Sequence, residues 1–266
     1  MNCKPITLLI DGDVVLYRNA SACEVETHWG DDLWTLHTDL REVKAKVLNF
    51  IESLKETLHA SKVIIALSCP SQEGFRKALC PTYKANREGK RKPLGYPALR
   101  QWAKDELGAR MVARLEADDI IGIEATRPIE ETRIVVSIDK DFRGVPCYYY
   151  NPFVKEGEPE IETITPREAA RFHFIQTLAG DSTDGYSGCP GIGPVKAAKI
   201  IDSLPEGCDC WATIVDIYAK AGFGEEEALL SARLARICQF EDYNPKTNSI
   251  RLWTPGPKTL SPLRKN

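Results

Sequence analysis

Two short apolar segments, each followed at once by a pair of aspartates, constrain the fold of this chain more than any other feature of its sequence. Ile6–Ile10 (ITLLI) leads into Asp11-Gly12-Asp13, and Arg133–Ile138 (RIVVSI) leads into Asp139-Lys140-Asp141. Short apolar segments bounded by turn-forming residues are typical of strands buried inside a sheet. Because ligands of open α/β sheets gather at the carboxyl ends of the strands, we expect both aspartate pairs in one crevice.

Helical and strand patterns alternate through the first 160 residues. Residues 38–59 place apolar side chains at three- and four-residue steps, which predicts an amphipathic helix with Asp39 at its start. Val63–Leu67 (VIIAL) predicts a second strand. Such alternation predicts an α/β domain with a mostly parallel sheet. The other predicted elements are helices over 98–107 and 116–125 and strands over Arg110–Arg114 and Cys147–Tyr150.

The strand signal fades after about residue 160. Thr165 is a good N-cap, Pro166 suits the first helical position, and Glu168 completes a capping box. From there to about residue 240 the pattern predicts helices joined by glycine-rich turns. We therefore predict an α/β domain over 1–164, a helical domain over 165–240 and an irregular tail over 241–266.

Composition excludes several classes of protein. Of the 266 residues, 43% are hydrophobic and 27% are charged, which is typical of a globular chain rather than a disordered one. No apolar run approaches the length of a membrane span. Nine cysteines without a secretion signal or a CxxC pair predict reduced thiols in a cytoplasm-like compartment and argue against a zinc ribbon. The net charge of -3 argues mildly against a general nucleic-acid coat protein.

Carboxylates form four short clusters along the chain. Acids brought together repel one another, and a divalent cation with a preference for oxygen ligands, Mg²⁺ or Mn²⁺, relieves that repulsion. Several carboxylates can hold two such ions and support phosphoryl transfer. The alternative is that each cluster only caps a helix or stabilises a turn. The clusters are Asp11/Asp13, Glu116/Asp118/Asp119, Asp139/Asp141 and Asp181/Asp184.

A basic segment lies between the second predicted strand and the helix over 98–107. Residues 83–92 hold five cations and one acid, and Arg76 and Lys77 lie just upstream. Cations in such a run can neutralise phosphates, and Phe75 and Tyr83 can stack on bases. The alternative is a solvated loop. The segment is bounded by prolines, and a cationic insertion near an acidic site suits a polyanionic substrate.

The most specific single motif is the glycine-rich stretch over 188–199 (GCPGIGPVKAAK). Its glycines permit a tight hairpin with exposed backbone amides, and a helix beginning near Pro194 adds its N-terminal dipole. Lys196 and Lys199 lie on the first turns of that helix. This arrangement can hold a phosphate without reading base sequence. The alternative is a helix–helix turn that binds nothing.

Six motifs in order resemble those of the structure-specific 5′-nuclease family, which includes flap endonucleases, the 5′-nuclease domains of bacterial DNA polymerases and phage 5′–3′ exonucleases. The resemblance runs from about Leu8 to about Ile201, and a chain without a polymerase domain looks most like the phage exonucleases or a stand-alone bacterial homologue. The motifs are Ile10-Asp11-Gly12, Phe75-Arg76 leading to Tyr83-Lys84-Ala85-Asn86-Arg87, Glu116-Ala117-Asp118-Asp119, Ser137-Ile138-Asp139-Lys140-Asp141, Gly180-Asp181-Ser182-Thr183-Asp184 and Gly188-Cys189-Pro190-Gly191-Ile192-Gly193.

The resemblance implies a PIN-like α/β nuclease domain, a helical arch over about 70–96 and a helix–three-turn–helix element. Lys84 and Arg87 match the family's basic residues at the base of the arch and are the implied catalytic helpers. The glycine hairpin would hold duplex DNA, in the family often with K⁺. The implied ligands of two Mg²⁺ or Mn²⁺ ions are Asp11, Glu116, Asp118, Asp119, Asp139, Asp141, Asp181 and Asp184.

One departure concerns the second strand. Many relatives carry an aspartate just after it, whereas Ser68-Cys69-Pro70 follows it here, and Asp13 is an additional acid. One outer ligand is therefore missing or replaced.

These observations predict a divalent-metal-dependent 5′–3′ exonuclease or flap endonuclease. It would act on duplex DNA with a 5′ end or a 5′ flap, and possible further substrates are RNA–DNA hybrids. The expected location is the cytoplasm of a bacterium or of a phage-infected cell, without a membrane. The alternatives are a PIN-type ribonuclease and a non-catalytic nucleic-acid-binding module. The expected DNA contacts are Arg76, Tyr83, Lys90, Arg91, Lys92, Gly191, Gly193, Lys196 and Lys199.

Overall fold

The computed structural model describes residues 4–154, 157–205 and 208–256. A six-stranded sheet in the order β5-β4-β1-β6-β7-β8 forms its centre. Neighbouring strands are parallel except β7 and β8, so the predicted α/β fold with a mostly parallel sheet is confirmed. The first eight strands are β1 (Ile6–Asp11), β2 (Val25–His28), β3 (Trp34–His37), β4 (Lys62–Leu67), β5 (Arg110–Met111), β6 (Thr132–Val136), β7 (Cys147–Tyr150) and β8 (Ile161–Ile164).

Helices cover both faces of this sheet. In the central strand β1, Leu8 and Ile10 face one core and Leu9 faces the other, and all three are fully buried. A strand buried on both faces has the continuous apolar sequence that predicted β1. The helices are α1 (Gly12–Ala22), α2 (Leu40–Thr57), α3 (Phe75–Leu79), α4 (Tyr96–Glu106), α5 (Ala117–Ala125), α6 (Pro166–Ala179), α7 (Pro194–Asp202), α8 (Cys210–Lys220) and α9 (Glu225–Ala235).

Local capping explains where two of the helices begin. Asp39 caps α2 by accepting a hydrogen bond from the amide of Arg41 at 2.8 Å, as the sequence predicted. Thr165 and Glu168 form a capping box at α6, with Pro166 at the first helical position. Such caps satisfy amides that have no partner inside the helix. Both helix starts are therefore determined locally.

The segment expected to form an arch, about 70–96, contains a single short α-helix, α3, before α4 begins at Tyr96. The remainder consists of turns, including short 3₁₀ turns at Ser71–Glu73 and Ala85–Arg87. The segment lies along one side of the cavity described below. The segment therefore has less helix than the expected helical arch.

Several elements had not been predicted. The antiparallel hairpin of β2 and β3 follows α1, and β8 adds an antiparallel edge to the sheet. The described part of the tail is not wholly irregular: two short strands pair in it, and Trp253 packs edge-on against His173 and Trp211. Residues 257–266 of the predicted tail lie outside the described residues. The four short strands are β9 (Gly180–Asp181), β10 (Tyr186–Ser187), β11 (Tyr243–Asn244) and β12 (Ser249–Ile250).

The helices after residue 165 share a core of their own, with Phe174, Leu178, Ile214 and Tyr218 buried in it. α6 packs against α7 and α9, and it also contacts the 3₁₀ turn Lys140–Gly144 that follows β6. The helical part therefore adjoins the sheet edge where the aspartates lie. Among the described residues, no helix is long and apolar enough to cross a membrane.

Candidate active site

The carboxyl ends of β1 and β6 bring Asp11 and Asp139 to one crevice, as the sequence predicted. Asp11 ends β1 and caps α1, where its Oδ1 accepts a hydrogen bond from the amide of Val14 at 3.1 Å. Asp139 accepts one from the amide of Asp141 at 2.8 Å. Both aspartates line a cavity of about 770 Å³. Parallel pairing of β1 with β6 makes this juxtaposition unavoidable.

Helix α5 presents two further acids to the same cavity, Glu116 and Asp118. Glu116 is the N-cap residue of α5. The Ser68 hydroxyl, just after β4, accepts a hydrogen bond from the amide of Ala117 at 2.9 Å and so fixes the start of the helix. Ser68 is a supporting residue that no sequence motif singled out.

Three of these acids are close enough to disfavour each other's charge. Burial raises the pKa of Asp11 to about 7, and Asp13 and Asp139 add to the rise. Burial also raises the pKa of Asp118 well above its usual value, with further contributions from Asp11 and Asp139. The pKa of Asp139 is raised for the same principal reason. A cation in this cavity would therefore lower the free energy of the charged forms.

Glu116 behaves differently because cations surround it. Burial alone would raise its pKa, but Lys84 and Arg76 together hold that pKa below its usual value. Lys84 Nζ lies 2.6 Å from Glu116 Oε1, and Arg76 Nη1 lies 2.9 Å from Oε2. The Tyr83 hydroxyl lies 3.0 Å from Glu116 Oε2 and 2.9 Å from Asp184 Oδ2, and these two acceptors share its single proton. Glu116 is consequently ionised and tightly held.

The remaining acids lie towards the helical part. Asp184 lines the cavity and pairs with Arg87 at 2.6 Å. Asp181 and Asp141 do not line it: Asp181 pairs with Lys140 at 3.1 Å, and Asp141 accepts a hydrogen bond from Gln176 at 2.7 Å. Burial raises the pKa of Asp141 to about 7.

Lys140 and Gln176 are residues of the site that the sequence reasoning missed. Lys140 lies between Asp139 and Asp141 in the sequence, and this position could have indicated that it pairs with acids of the site. Gln176, on α6, carried no signal because its partner is 35 residues away.

The structure places Arg76, Tyr83 and Asp119 in buried positions. Arg76 and Tyr83 are only 3% and 5% exposed, although both line the cavity, and their contact with DNA stays a prediction. Phe75, which was expected to stack on bases, is also buried. Asp119 is fully buried, and both of its oxygens accept hydrogen bonds from Arg76. Asp119 is not among the residues that line the cavity, and its role as a metal ligand stays a prediction.

Asp13 occupies the space beside the end of β4, where the chain lacks the carboxylate that many relatives carry. Its Oδ2 accepts a hydrogen bond from the amide of Ser68 at 2.8 Å. Its Oδ1 accepts one from the Tyr96 hydroxyl at 3.0 Å and pairs with Arg100. Tyr96 and Arg100 come from α4 and were not anticipated. Asp13 thus connects α1, β4 and α4 at the wall of the cavity.

The basic segment is placed as expected only in part. Lys84, Arg87, Lys90 and Lys92 line the cavity. Arg91 is exposed but is engaged with Glu24 through two hydrogen bonds of 2.7 and 2.9 Å. Lys84 has a left-handed backbone conformation, with φ at 54°. Four cations of the basic segment therefore line the cavity together with its acids.

The glycine-rich stretch forms a tight turn leading into α7. Gly191 has φ at +73°, a conformation that strains other residues, and a Cβ there would meet open space. Gly193 is the N-cap of α7, and Lys196 Nζ donates to the carbonyl of Gly191 at 3.2 Å. Lys199 lies on the last turn of the same helix. The two glycines and the two lysines are all exposed.

The donor set of the cavity fits a hard divalent cation in kind, because it consists of buried carboxylates that disfavour each other's charge. In the side-chain conformations of the described residues, no three His, Cys, Asp or Glu side chains converge closely enough to enclose a cation. Lys84 and Arg87 instead pair with Glu116 and Asp184.

Comparisons with known proteins agree with the fold. Residues 6–147 match the family model of the 5′–3′ exonuclease N-terminal resolvase-like domain. The exodeoxyribonuclease of Enterobacteria phage T3 is 30% identical, covering 93% of this chain and 92% of its own. The exonuclease of Escherichia phage T7 is 29% identical over similar shares. A flap endonuclease Xni of Shewanella is 27% identical over 75% of this chain and 80% of its own.

Solved structures share the fold. The phage T5 5′-exonuclease with bound zinc superimposes with a TM-score of 0.58 at 16% identity, covering 86% of this chain and 89% of the other. The chain is a hydrolytic nuclease of the α/β, resolvase-like class. It belongs to the 5′–3′ exonuclease family, together with the phage exonucleases and the Xni flap endonucleases.

Proposed function

We propose that this protein is a divalent-metal-dependent 5′-nuclease that hydrolyses DNA at 5′ ends or at 5′ flaps of duplexes. The observation that carries this proposal is the cavity in which Asp11, Asp118 and Asp139 lie together beneath Lys84 and Arg87. Acids on the floor suit cations, and cations on the rim suit a phosphodiester. The relative found with DNA and metal ions, the T5 flap endonuclease, supports the same substrate.

Two Mg²⁺ or Mn²⁺ ions are the proposed cofactors. When bound, such ions lower the pKa of a water and stabilise charge on the leaving oxygen. The T5 proteins with bound metal ions support this proposal. Asp119 is not among the proposed direct ligands, because both of its oxygens accept hydrogen bonds from Arg76. The proposed direct ligands line the cavity and are Asp11, Glu116, Asp118, Asp139 and Asp184, with Asp141 and Asp181 behind them.

Lys84 and Arg87 are the proposed catalytic helpers. Each is paired with an acid, Glu116 and Asp184 respectively, at 2.6 Å. With a cation bound to these acids, both basic side chains would be free to contact the phosphate. Preorganised positive charge at the reacting phosphate stabilises the charge that develops there. Lys90 and Lys92 also line the cavity, and Arg91, which pairs with Glu24, is a further proposed DNA contact.

The turn at Gly191 and Gly193 is the proposed duplex-holding element, with Lys196 and Lys199 contacting the backbone phosphates. Its exposed glycines at the start of α7 support this, since helix N-termini favour anions. K⁺ is the proposed ion at this turn. Dependence of duplex affinity on K⁺ rather than Na⁺, at equal ionic strength, tests that part separately.

Exonucleolytic and flap-cutting activities are both proposed, since relatives of both names cover most of this chain. RNA–DNA hybrids are a further proposed substrate. The proposed location is the cytoplasm of a bacterium or a phage-infected cell, which the free state of all eight described cysteines supports. A PIN-type ribonuclease is disfavoured by the duplex-holding turn, and a non-catalytic binding module is disfavoured by the acidic floor of the cavity.

The deciding experiment is cleavage of 5′-labelled duplexes with and without a 5′ flap, in Mg²⁺ and in EDTA. The wild type is compared with an Asp139→Asn/Asp141→Asn double variant. Cleavage that needs Mg²⁺ and is lost in the variant supports the proposal, and the product lengths distinguish flap cutting from stepwise digestion. Absence of cleavage with salt-sensitive DNA binding intact would overturn it, and RNA substrates would then be tested.

A further inference from the structure

The guanidinium of Arg76 is the most completely bonded buried group of the site. Its Nε donates to the carbonyl of Leu234 at 3.1 Å. Nη1 donates to Glu116 Oε2 at 2.9 Å and to Asp119 Oδ2 at 2.8 Å. Nη2 donates to Asp119 Oδ1 at 2.7 Å and to the carbonyl of Arg236. Every one of its five N–H groups therefore has an acceptor.

These bonds join three parts of the molecule. Arg76 itself lies on α3, at the start of the basic segment, and its acidic partners belong to the capping box of α5. The two carbonyls lie at the C-terminal end of α9, where Arg236 is the C-cap. A buried cation there satisfies carbonyls that have no partner inside the helix. One side chain thus connects the cavity wall with the helical part.

The geometry also separates the two oxygens of Glu116. Oε2 is held by Arg76 and by the Tyr83 hydroxyl at 3.0 Å. Oε1 is left to Lys84 at 2.6 Å, on the wall of the cavity. With Arg76 replaced, the Tyr83 hydroxyl would be the other donor to Oε2, and it is shared with Asp184. Arg76 and Tyr83 together therefore determine which oxygen of Glu116 a ligand in the cavity meets.

We propose that Arg76 is a positioning residue for the nuclease reaction: it holds Glu116 with one oxygen towards the cavity and links that orientation to the end of α9. This inference rests on the proposed function, in which Glu116 is one of the acids that hold metal. Residues that orient metal ligands through hydrogen bonds typically change metal affinity by about 10- to 100-fold when they are lost.

The test is the Arg76→Lys variant, which keeps the charge but cannot reproduce five directed hydrogen bonds. Mn²⁺ binding is measured without DNA by electron paramagnetic resonance, and cleavage is measured as a function of Mn²⁺ concentration. We expect Mn²⁺ affinity to fall about 10-fold or more. Cleavage at saturating Mn²⁺ should recover much of the wild-type rate, because Arg76 is only 3% exposed and all five of its N–H groups already have acceptors in the protein.

The matched control is Arg133→Lys. Arg133 is also a largely buried arginine, with its side chain 10% exposed, and it pairs with Glu124 and Glu131 away from the cavity. Its variant should lose stability but bind Mn²⁺ within about twofold of the wild type. Hydrogen exchange over residues 230–238 should accelerate in Arg76→Lys and not in Arg133→Lys.

The outcomes separate this inference from the proposed function. A wild type that neither binds Mn²⁺ nor cleaves DNA would overturn the proposed function itself. A wild type that does both, with an Arg76→Lys variant that is folded and binds Mn²⁺ as tightly, would overturn the positioning role alone. Equal losses of Mn²⁺ affinity in both variants would also overturn it, because they would show a general effect of stability.

Discussion

Lys84 Nζ lies 2.6 Å from Glu116 Oε1, so the principal cation of the basic segment is paired with an acid of the cavity floor. Lys84 also lies 3.6 Å from Asp184. Its backbone is left-handed, with φ at 54°, which costs free energy unless the surroundings enforce it. The structure therefore holds Lys84 between two acids of the cavity, Glu116 and Asp184.

Replacement of Lys84 by methionine should lower the rate of DNA cleavage by about 100-fold or more, the usual cost of removing one group that stabilises charge in the transition state. The measurement is single-turnover cleavage at saturating Mg²⁺. Lys55→Met is the control, because Lys55 pairs with Glu52 on the surface of α2. A Lys84→Met variant with wild-type turnover would remove Lys84 from the catalytic machinery.

The metal-free protein should lose stability as the pH rises. Asp11 has a folded-state pKa raised by burial to about 7 from an ordinary value of 3.8. Between these values the folded state holds a proton that the unfolded state has lost, so the free energy of unfolding falls as pH increases. One pKa unit corresponds to about 1.4 kcal/mol. We expect the thermal midpoint in EDTA to be lower at pH 8 than at pH 5.

Asp11→Asn should remove part of this dependence and be more stable than the wild type at pH 8 in EDTA. Mg²⁺ should raise the midpoint of the wild type more at pH 8 than at pH 5, because protons compete with the metal. Asp105→Asn, on the exposed face of α4, serves as the control. A midpoint independent of pH in EDTA would contradict the prediction.

Arg100→Leu should destabilise the protein by about 1–3 kcal/mol, because it leaves Asp13 partly buried without its cation. Both side chains of the pair are about one-fifth exposed. Urea unfolding of Asp13→Asn, Arg100→Leu and the double variant measures the coupling between them. Arg41→Leu, whose pair with Asp39 is largely exposed, should cost much less. Additive effects of the two single variants would show that the pair contributes nothing.

Gly191→Ala should weaken duplex binding while costing only about 1–2 kcal/mol of stability, because alanine is strained at a φ of +73°. Gly222→Ala is a matched control: its φ is +84°, and a Cβ there also meets open space. Both variants should lose similar stability, and only Gly191→Ala should lose affinity for a duplex in fluorescence anisotropy. Equal duplex affinities for the two variants would argue against the duplex-holding turn.

Local sequence patterns determined much of the fold and part of the candidate site. The apolar run of Ile6–Ile10 predicts β1 because a strand buried on both faces must be apolar throughout. Asp39 and Thr165 determine where their helices begin because a cap needs only its own neighbours. The site follows from the same logic, since Asp11 ends β1, Asp139 follows shortly after the end of β6, and these parallel strands pair side by side. Two of the motifs that resemble the 5′-nuclease family lie at the carboxyl ends of these two strands.

Only the tertiary structure decided which charged and polar side chains pair with one another. Arg76 is a cation in a basic segment, yet it is buried against Asp119, 43 residues away, and against carbonyls more than 150 residues away. Tyr83 meets Asp184 across 101 residues. A sequence shows that such residues can bind phosphate or metal, but burial and pairing are properties of the packed chain. Long-range packing therefore buries two of the predicted DNA contacts and one of the predicted metal ligands among partners that no local pattern indicates.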